Sequence, residues 1–207
     1  MSTDVSPQRL GKYELRERLG HNGMTEVWKA FDTQLQRLVV ITILHADPQT
    51  DPDFMTRFES ESRIIASLYQ PNIVQIHDFQ ISQSPVGAEV ESSGVGGLVS
   101  ARPFAYIVME YIEGQTLADY IGSASRVRNF PPAADIAYLF TSIGSAVDYA
   151  HQSSIKHLGI RPENILLNKR AEKTSSNVQR SIGEPILTNF GITRLMNTSA
   201  SILSDMW

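Results

Sequence analysis

The stretch that decides the reading is His157-Leu158-Gly159-Ile160-Arg161-Pro162-Glu163-Asn164-Ile165-Leu166-Leu167, followed by Asn189-Phe190-Gly191. Within it, Ile165–Leu167 is a short strand candidate, and Pro185–Thr188 is a second one downstream. The polar segment 168–184 between them reads as a mobile hairpin loop. Upstream, the spacing predicts a long helix over Pro132–Gln152, with Ile136, Leu139, Phe140, Ile143, Val147 and Ala150 on its buried side. A shorter helix begins over Thr116–Ile121, after a connector at Tyr111-Ile112-Glu113-Gly114.

Toward the N-terminus the periodicity changes. From Tyr13 to Leu44 the chain is rich in β-branched and aromatic residues, broken at Gly20–Gly23 and at Asp32–Gln36, which predicts three strands. The run Val39-Val40-Ile41-Thr42-Ile43-Leu44 reads as a strand covered on both faces. Residues 53–68 have helical spacing, with Phe54, Phe58, Ile65 and Leu68 on one face. Glu61 shares that face. It either needs a partner, since an unpaired buried charge is costly, or it reaches water at the edge of the stripe. Ile73–Ile81 and Phe104–Tyr111 are two further strands, separated by a Gly/Ser/Val-rich flexible insert at 82–102. The outline is α+β: five strands with one helix, then a mostly helical part. Residues 1–10 read as a flexible tail, 11–112 as one lobe and 113–207 as a second.

Composition narrows the class. A chain of 207 residues with 42% hydrophobic and 19% charged residues belongs with folded soluble proteins. Its formal net charge of -4 gives no pull toward nucleic acid. With no cysteine there is no disulfide and no thiolate metal site, which fits a reducing, cytoplasmic setting. The first ten residues carry no apolar signal-peptide core. The longest apolar run, Leu38 to Leu44, is interrupted by Thr42 and is far short of the roughly 20 residues a membrane helix needs.

The order of these motifs resembles the eukaryotic-like (Hanks-type) Ser/Thr protein kinases, particularly their bacterial branch. Leu19–Val27 stands where the Gly-rich loop should be, Val39–Thr42 stands for the V-A-I-K strand, and Glu61 matches the helix αC glutamate. Met109-Glu110-Tyr111-Ile112 resembles the gatekeeper and hinge. His157–Asn164 matches the catalytic loop, and Asn189-Phe190-Gly191 replaces D-F-G. The resemblance covers Tyr13 to about Leu195 and implies a two-lobed kinase-like fold: a five-stranded N-lobe sheet with helix αC, and an incomplete, mainly helical C-lobe.

The resemblance also shows what is missing. The lysine that holds phosphates is Thr42, the catalytic aspartate is Gly159, and the metal-binding aspartate is Asn189. The arginine that reads activation-loop phosphorylation is Leu158. Arg161 replaces a lysine and keeps its charge, and His157 and Asn164 are retained. Lys29, on the next strand, is expected to face solvent rather than replace the lost lysine. Losing one preorganised stabilising group commonly costs about 10²–10³ in rate. The expectation is therefore a catalytically inactive pseudokinase, not an enzyme, that acts as a regulatory or scaffolding module. The alternative is a degenerate kinase with slow phosphotransfer.

A vestigial nucleotide pocket is expected at Gly20, Gly23, Val27, Val40, Met109, Glu110, Ile112 and Leu166. Asn22 and Thr25 stand where glycines let backbone approach phosphate, and Val40 adds bulk over the adenine slot. No cofactor is expected, ATP is weak at best, and magnesium is disfavoured at the vestigial pair Asn164 and Asn189. By resemblance, Ile65, Ile76, Phe190 and His157 form one inter-lobe stack, and Val27, Val40 and Leu166 belong to another. Glu61, without its lysine, is expected to pair with Arg194. The sequence ends at Trp207 with no A-P-E motif. This implies exposed apolar surface on the long helix, met by a protein partner, by self-association or by further chain. Thr193, Thr198, Ser199, Ser201 and Ser204 read as a Ser/Thr-rich tail.

Overall fold

The computed structural model describes residues 8–21, 25–45, 53–82, 104–169 and 181–190. The chain forms two compact units: Met1–Ser62 with Ile76–Tyr111, and Arg63–Gln75 with Ile112–Trp207.

The first unit is a six-stranded antiparallel sheet in the order β1-β2-β3-β4-β6-β5. Its strands are β1 (Arg9–Leu10), β2 (Tyr13–His21), β3 (Thr25–Asp32), β4 (Arg37–His45), β5 (Ile76–Ser82) and β6 (Phe104–Glu110). The sheet has one strand more than the five read from sequence. The addition is β1, which pairs Arg9 with Glu14 and Leu10 with Tyr13. Two residues are too few for periodicity to register, but Leu10 is buried. The β3–β4 turn is set by Asp32, whose buried carboxylate accepts the N–H groups of Gln34 and Leu35 at 3.0 Å each. Gln36 then takes the left-handed conformation that closes the turn.

Strand β4 is the spine. Ile41, Thr42, Ile43 and Leu44 are all buried, as a strand covered on both faces requires. Val39, Ile41 and Ile43 pack with Leu15, Ala30, Phe104, Tyr106 and Val108 in one cluster. Helix α1 (Phe54–Ala66) follows. Phe54, Phe58 and Ile65 on α1, with Leu68 just beyond it, are buried as the spacing predicted, and Phe58 meets Phe79 edge-on at 6.2 Å.

The second unit is built on helices α2 (Leu117–Val127) and α3 (Ala133–Gln152) and a small antiparallel sheet, β7-β8-β9. Its strands are β7 (Gly114–Thr116), β8 (Ile165–Asn168) and β9 (Glu184–Leu187). β7 falls in what the sequence presents as a connector. Its Gly114 is needed there, because a Cβ would lie 1.9 Å from the Leu167 carbonyl oxygen. Helix α2 starts at a capping box between Thr116 and Asp119 and runs past Ile121 to Val127.

Helix α3 is where expected, with Ile143 and Ala150 buried and Leu139 and Val147 half-buried as the spacing predicts, but two of its six expected residues are not. Ile136 and Phe140 are 40% and 72% exposed, while Asp135, Ser142, Ile143, Ala146 and Ala150 are buried. Small residues form the buried stripe where α3 packs on β9.

Candidate functional site

The catalytic-loop residues converge in the second unit. His157 is 3% exposed and follows α3 through a turn closed by Ser154 in the left-handed conformation. The Gly159 N–H donates to His157 Nδ1 at 3.2 Å, so Nε2 carries the ring proton and donates to the Thr188 carbonyl at 2.8 Å. Burial pushes the His157 pKa below its ordinary value, which keeps this neutral tautomer. The ring packs edge-on against buried Phe190 at 4.6 Å, so this pair of the expected stack is in place.

Asn164 is the hub. A 3-10 turn at Pro162–Asn164 aims its side chain back toward the loop. Its Nδ2 donates to the Gly159 carbonyl at 2.8 Å, and its Oδ1 accepts from Asn189 Nδ2 at 2.8 Å. Its own carbonyl accepts the Thr188 N–H at 2.9 Å and the Thr188 hydroxyl at 3.2 Å. Asn189 sits at φ 64, a region where asparagine is among the better-tolerated residues. Leu158 has φ 58 and is 58% exposed, so it lies outside this cluster. Arg161 is also exposed and pairs with Glu163 at 3.4 Å on the surface.

The structure thus brings Gly159, Asn164 and Asn189 into one network. The sequence reading missed Thr188, which contributes its N–H, carbonyl and hydroxyl. Its only signal was its place at the end of a strand candidate, beside the Asn-Phe-Gly motif.

The remaining expected residues of the first unit lie on strands β2 to β6 and on α1. Thr42 is 2% exposed, sits between Val27 and Ile107 in register, and its hydroxyl has no hydrogen-bond partner among the described residues. Val40 pairs across to Lys29 and Met109. Met109 is buried and Glu110 exposed at the end of β6, while Gly20 is an exposed position on β2 opposite Val27. Lys29 does not simply face solvent, because its ammonium lies 4.6 Å from the centre of the Tyr111 ring. Glu61 is half-buried on α1 and Ile76 half-buried at the start of β5. In the second unit, Ile112 is buried and Leu166 half-buried on β8, while Ile65 is buried. Gly23, Asn22 and Arg194 lie outside the described residues, as do the insert, most of segment 168–184 and the Ser/Thr-rich tail.

A divalent metal can be tested against this arrangement. Asn164 Oδ1 is engaged, whereas Asn189 Oδ1 accepts no hydrogen bond among the described residues. Two amide groups side by side offer oxygen donors but no negative charge. They fit a metal that arrives with phosphate oxygens and not a bare ion. Among the described residues no group of three or more His, Cys, Asp or Glu could hold a metal. No helix among them is long and apolar enough to cross a membrane.

A protein-family profile described as "Protein kinase domain" matches residues 13–206. The chain is similar to the probable serine/threonine-protein kinase PknB of Bifidobacterium longum, 34% identical over 195 residues, covering 94% of this chain and 24% of that protein. It is 32% identical to serine/threonine-protein kinase PknB of Mycobacterium leprae over 196 residues, covering 95% and 26%. It therefore spans about a quarter of the length of the curated relatives it matches. Among solved structures, the Mycobacterium tuberculosis PknI kinase domain shares the fold at 24% identity and a TM-score of 0.59, over 87% of this chain and 59% of that one. A point mutant of that domain aligns at 23% identity and a TM-score of 0.62, over 93% and 64%.

These relatives correct two expectations. The expectation of a non-enzyme does not stand, because the matched relatives are named serine/threonine protein kinases. The expectation of no cofactor, with magnesium disfavoured, falls with it, since such kinases use ATP and magnesium.

Proposed function

Because this chain belongs to the protein kinase domain family, we propose that it is a degenerate Ser/Thr kinase that takes ATP as its metal complex and transfers phosphate slowly. The observation that carries this reading is the Gly159–Asn164–Asn189 hydrogen-bond network, which keeps the phosphate-end backbone assembled without its charges. Asn189 Oδ1 would hold the metal, joined by Asn164 Oδ1 once the hydrogen bond between the two side chains opens. When bound, the metal supplies charge neutralisation for the phosphates. His157, neutral and buried, fixes the Thr188 carbonyl and the Gly159 N–H, and so holds the loop shape. No side chain at position 159 can accept the substrate hydroxyl proton, so that proton leaves to solvent and turnover is slow.

Since one missing group costs about 10²–10³ in rate, turnover should lie at least that far below the 1–100 s⁻¹ typical of kinases. Signalling through the fold, as a regulatory or scaffolding module, follows from slow chemistry. The exposed Ile136 and Phe140 on α3 support a protein partner, and the absence of cysteine supports a cytoplasmic setting. The test is incubation of the purified chain with γ-labelled ATP, magnesium or manganese, and a generic Ser/Thr substrate. Slow label incorporation that disappears in Asn164→Ala is the expected result. No incorporation above a heat-denatured control would overturn the proposal.

A further inference from the structure

A second polar contact, apart from the catalytic-loop network, ties a helix to the strand that carries Thr188 and Asn189. Asp135 lies in the first turn of α3 and is 8% exposed. Its Oδ2 accepts the Ser181 backbone N–H at 2.9 Å and a short hydrogen bond from the Ser181 hydroxyl. Ser181 itself is exposed. It opens the turn that leads into β9.

That turn has little freedom to give. Gly183 sits at φ 76, and a Cβ there would come within 2.7 Å of the Asn168 carbonyl oxygen. A change at Ser181 therefore passes to β9. The far end of this four-residue strand is held by the Leu187 N–H on the Asn72 carbonyl at 2.7 Å, and by the Thr188 N–H on the Asn164 carbonyl. The contact at Ser181 and the Asn164 hub thus anchor the two ends of one strand.

The contact has two donors on one carboxylate oxygen, the Ser181 hydroxyl and its backbone N–H. A carboxylate at a helix N-terminus accepts charge-assisted hydrogen bonds readily. A phosphoryl group on the Ser181 Oγ removes the hydroxyl donor and sets about -1.5 to -2 charge against that carboxylate, opposing the remaining backbone hydrogen bond.

We propose that Ser181 is a phosphoacceptor, and that phosphorylation there releases Ser181 from Asp135 and loosens β9 at Thr188 and Asn189. The donor is ATP in the hands of an active Ser/Thr protein kinase. Ser181 Oγ bonds to the γ-phosphorus, and the bond from that phosphorus to the β–γ bridging oxygen breaks. ADP leaves, and the hydroxyl proton passes to the modifying kinase's base and then to solvent.

The experiment uses the intact chain, ATP, magnesium and an active bacterial Ser/Thr kinase catalytic domain. Phosphosites are mapped by mass spectrometry, and hydrogen exchange is then followed at the Leu187 and Thr188 amides. Phosphate is expected on Ser181, with those amides exchanging at least about tenfold faster, as loss of one charge-assisted hydrogen bond implies. The acceleration should shrink in Asp135→Asn, where the repulsion is gone. Should Asp135→Asn fold poorly, Ser181→Ala serves instead: it keeps the backbone hydrogen bond and should accelerate exchange less than phosphate does. No phosphate on Ser181, unchanged exchange after phosphorylation, or an acceleration undiminished in Asp135→Asn would each overturn the proposal. None of these readouts uses the chain's own turnover, so their failure is separate from failure of the slow-kinase reading.

Discussion

Asn189→Asp probes the hub directly. The backbone should tolerate it, since aspartate, like asparagine, accepts the left-handed φ of 64. The side chain changes from donor to acceptor. Its oxygen would then face Asn164 Oδ1 at the 2.8 Å that a hydrogen bond now spans. Asn164 cannot flip to help without giving up its bond to the Gly159 carbonyl. The loss is one hydrogen bond, about 1 kcal/mol, plus an opposed acceptor pair costing about 1–2 kcal/mol more. For a chain of this size that is a fall in Tm of roughly 5–10 °C without metal. With magnesium and ATP most of that loss should be offset. The new carboxylate supplies the charge a hard cation wants, and ligand at about 100 times its Kd returns roughly 2.7 kcal/mol. Thermal unfolding of parent and variant, with EDTA and with magnesium-ATP, reads both effects. A variant as stable as the parent in EDTA, or one that gains no more from magnesium-ATP than the parent does, would refute the reasoning.

Three further outcomes follow from the packing. Gly114→Ala drives a Cβ to within 1.9 Å of the Leu167 carbonyl, so it should destabilise by about 3 kcal/mol or more, seen as an early urea midpoint. Thr42→Val removes a buried hydroxyl, unpartnered among the described residues, with little change of shape and should be neutral or stabilising by up to about 1 kcal/mol; a clear loss in thermal unfolding would contradict that. His157, held below its ordinary pKa by burial, contributes stability that is complete above the unfolded value near 6.5 and is lost as pH falls toward its folded pKa. His77 is shifted the same way, also by burial first, so chemical denaturation at pH 7.5 and 5.5 should show a fall that is reduced but not abolished in His157→Gln.

Much of this was legible in the chain itself. Alternation and β-branching located β2 to β6, because a strand buried on one or both faces must write that burial into its residues. The His157–Leu167 motif named the family, and the spacing of Phe54, Phe58, Ile65 and Leu68 named the inward face of α1. Spacing was only partly right on α3, where Ile143 and Ala150 face inward as predicted, but so do Ser142 and Ala146, and Ile136 and Phe140 do not. Hydrophobicity predicts burial only where bulk fills the core. β1 and β7 escaped because two or three residues carry no period; their partners define them.

The sequence by itself determined which chemical groups this protein has: a threonine at 42, a glycine at 159 and asparagines at 164 and 189, where the family resemblance leads one to look. Tertiary structure alone decided what those groups do to one another. It turned Asn164 and Asn189 into a hydrogen-bonded pair, made Thr188 part of the loop, and set the Ser181 hydroxyl on Asp135 across 46 residues of chain. Donor and acceptor directions depend on where the backbone carries each atom, and no one-dimensional pattern records that.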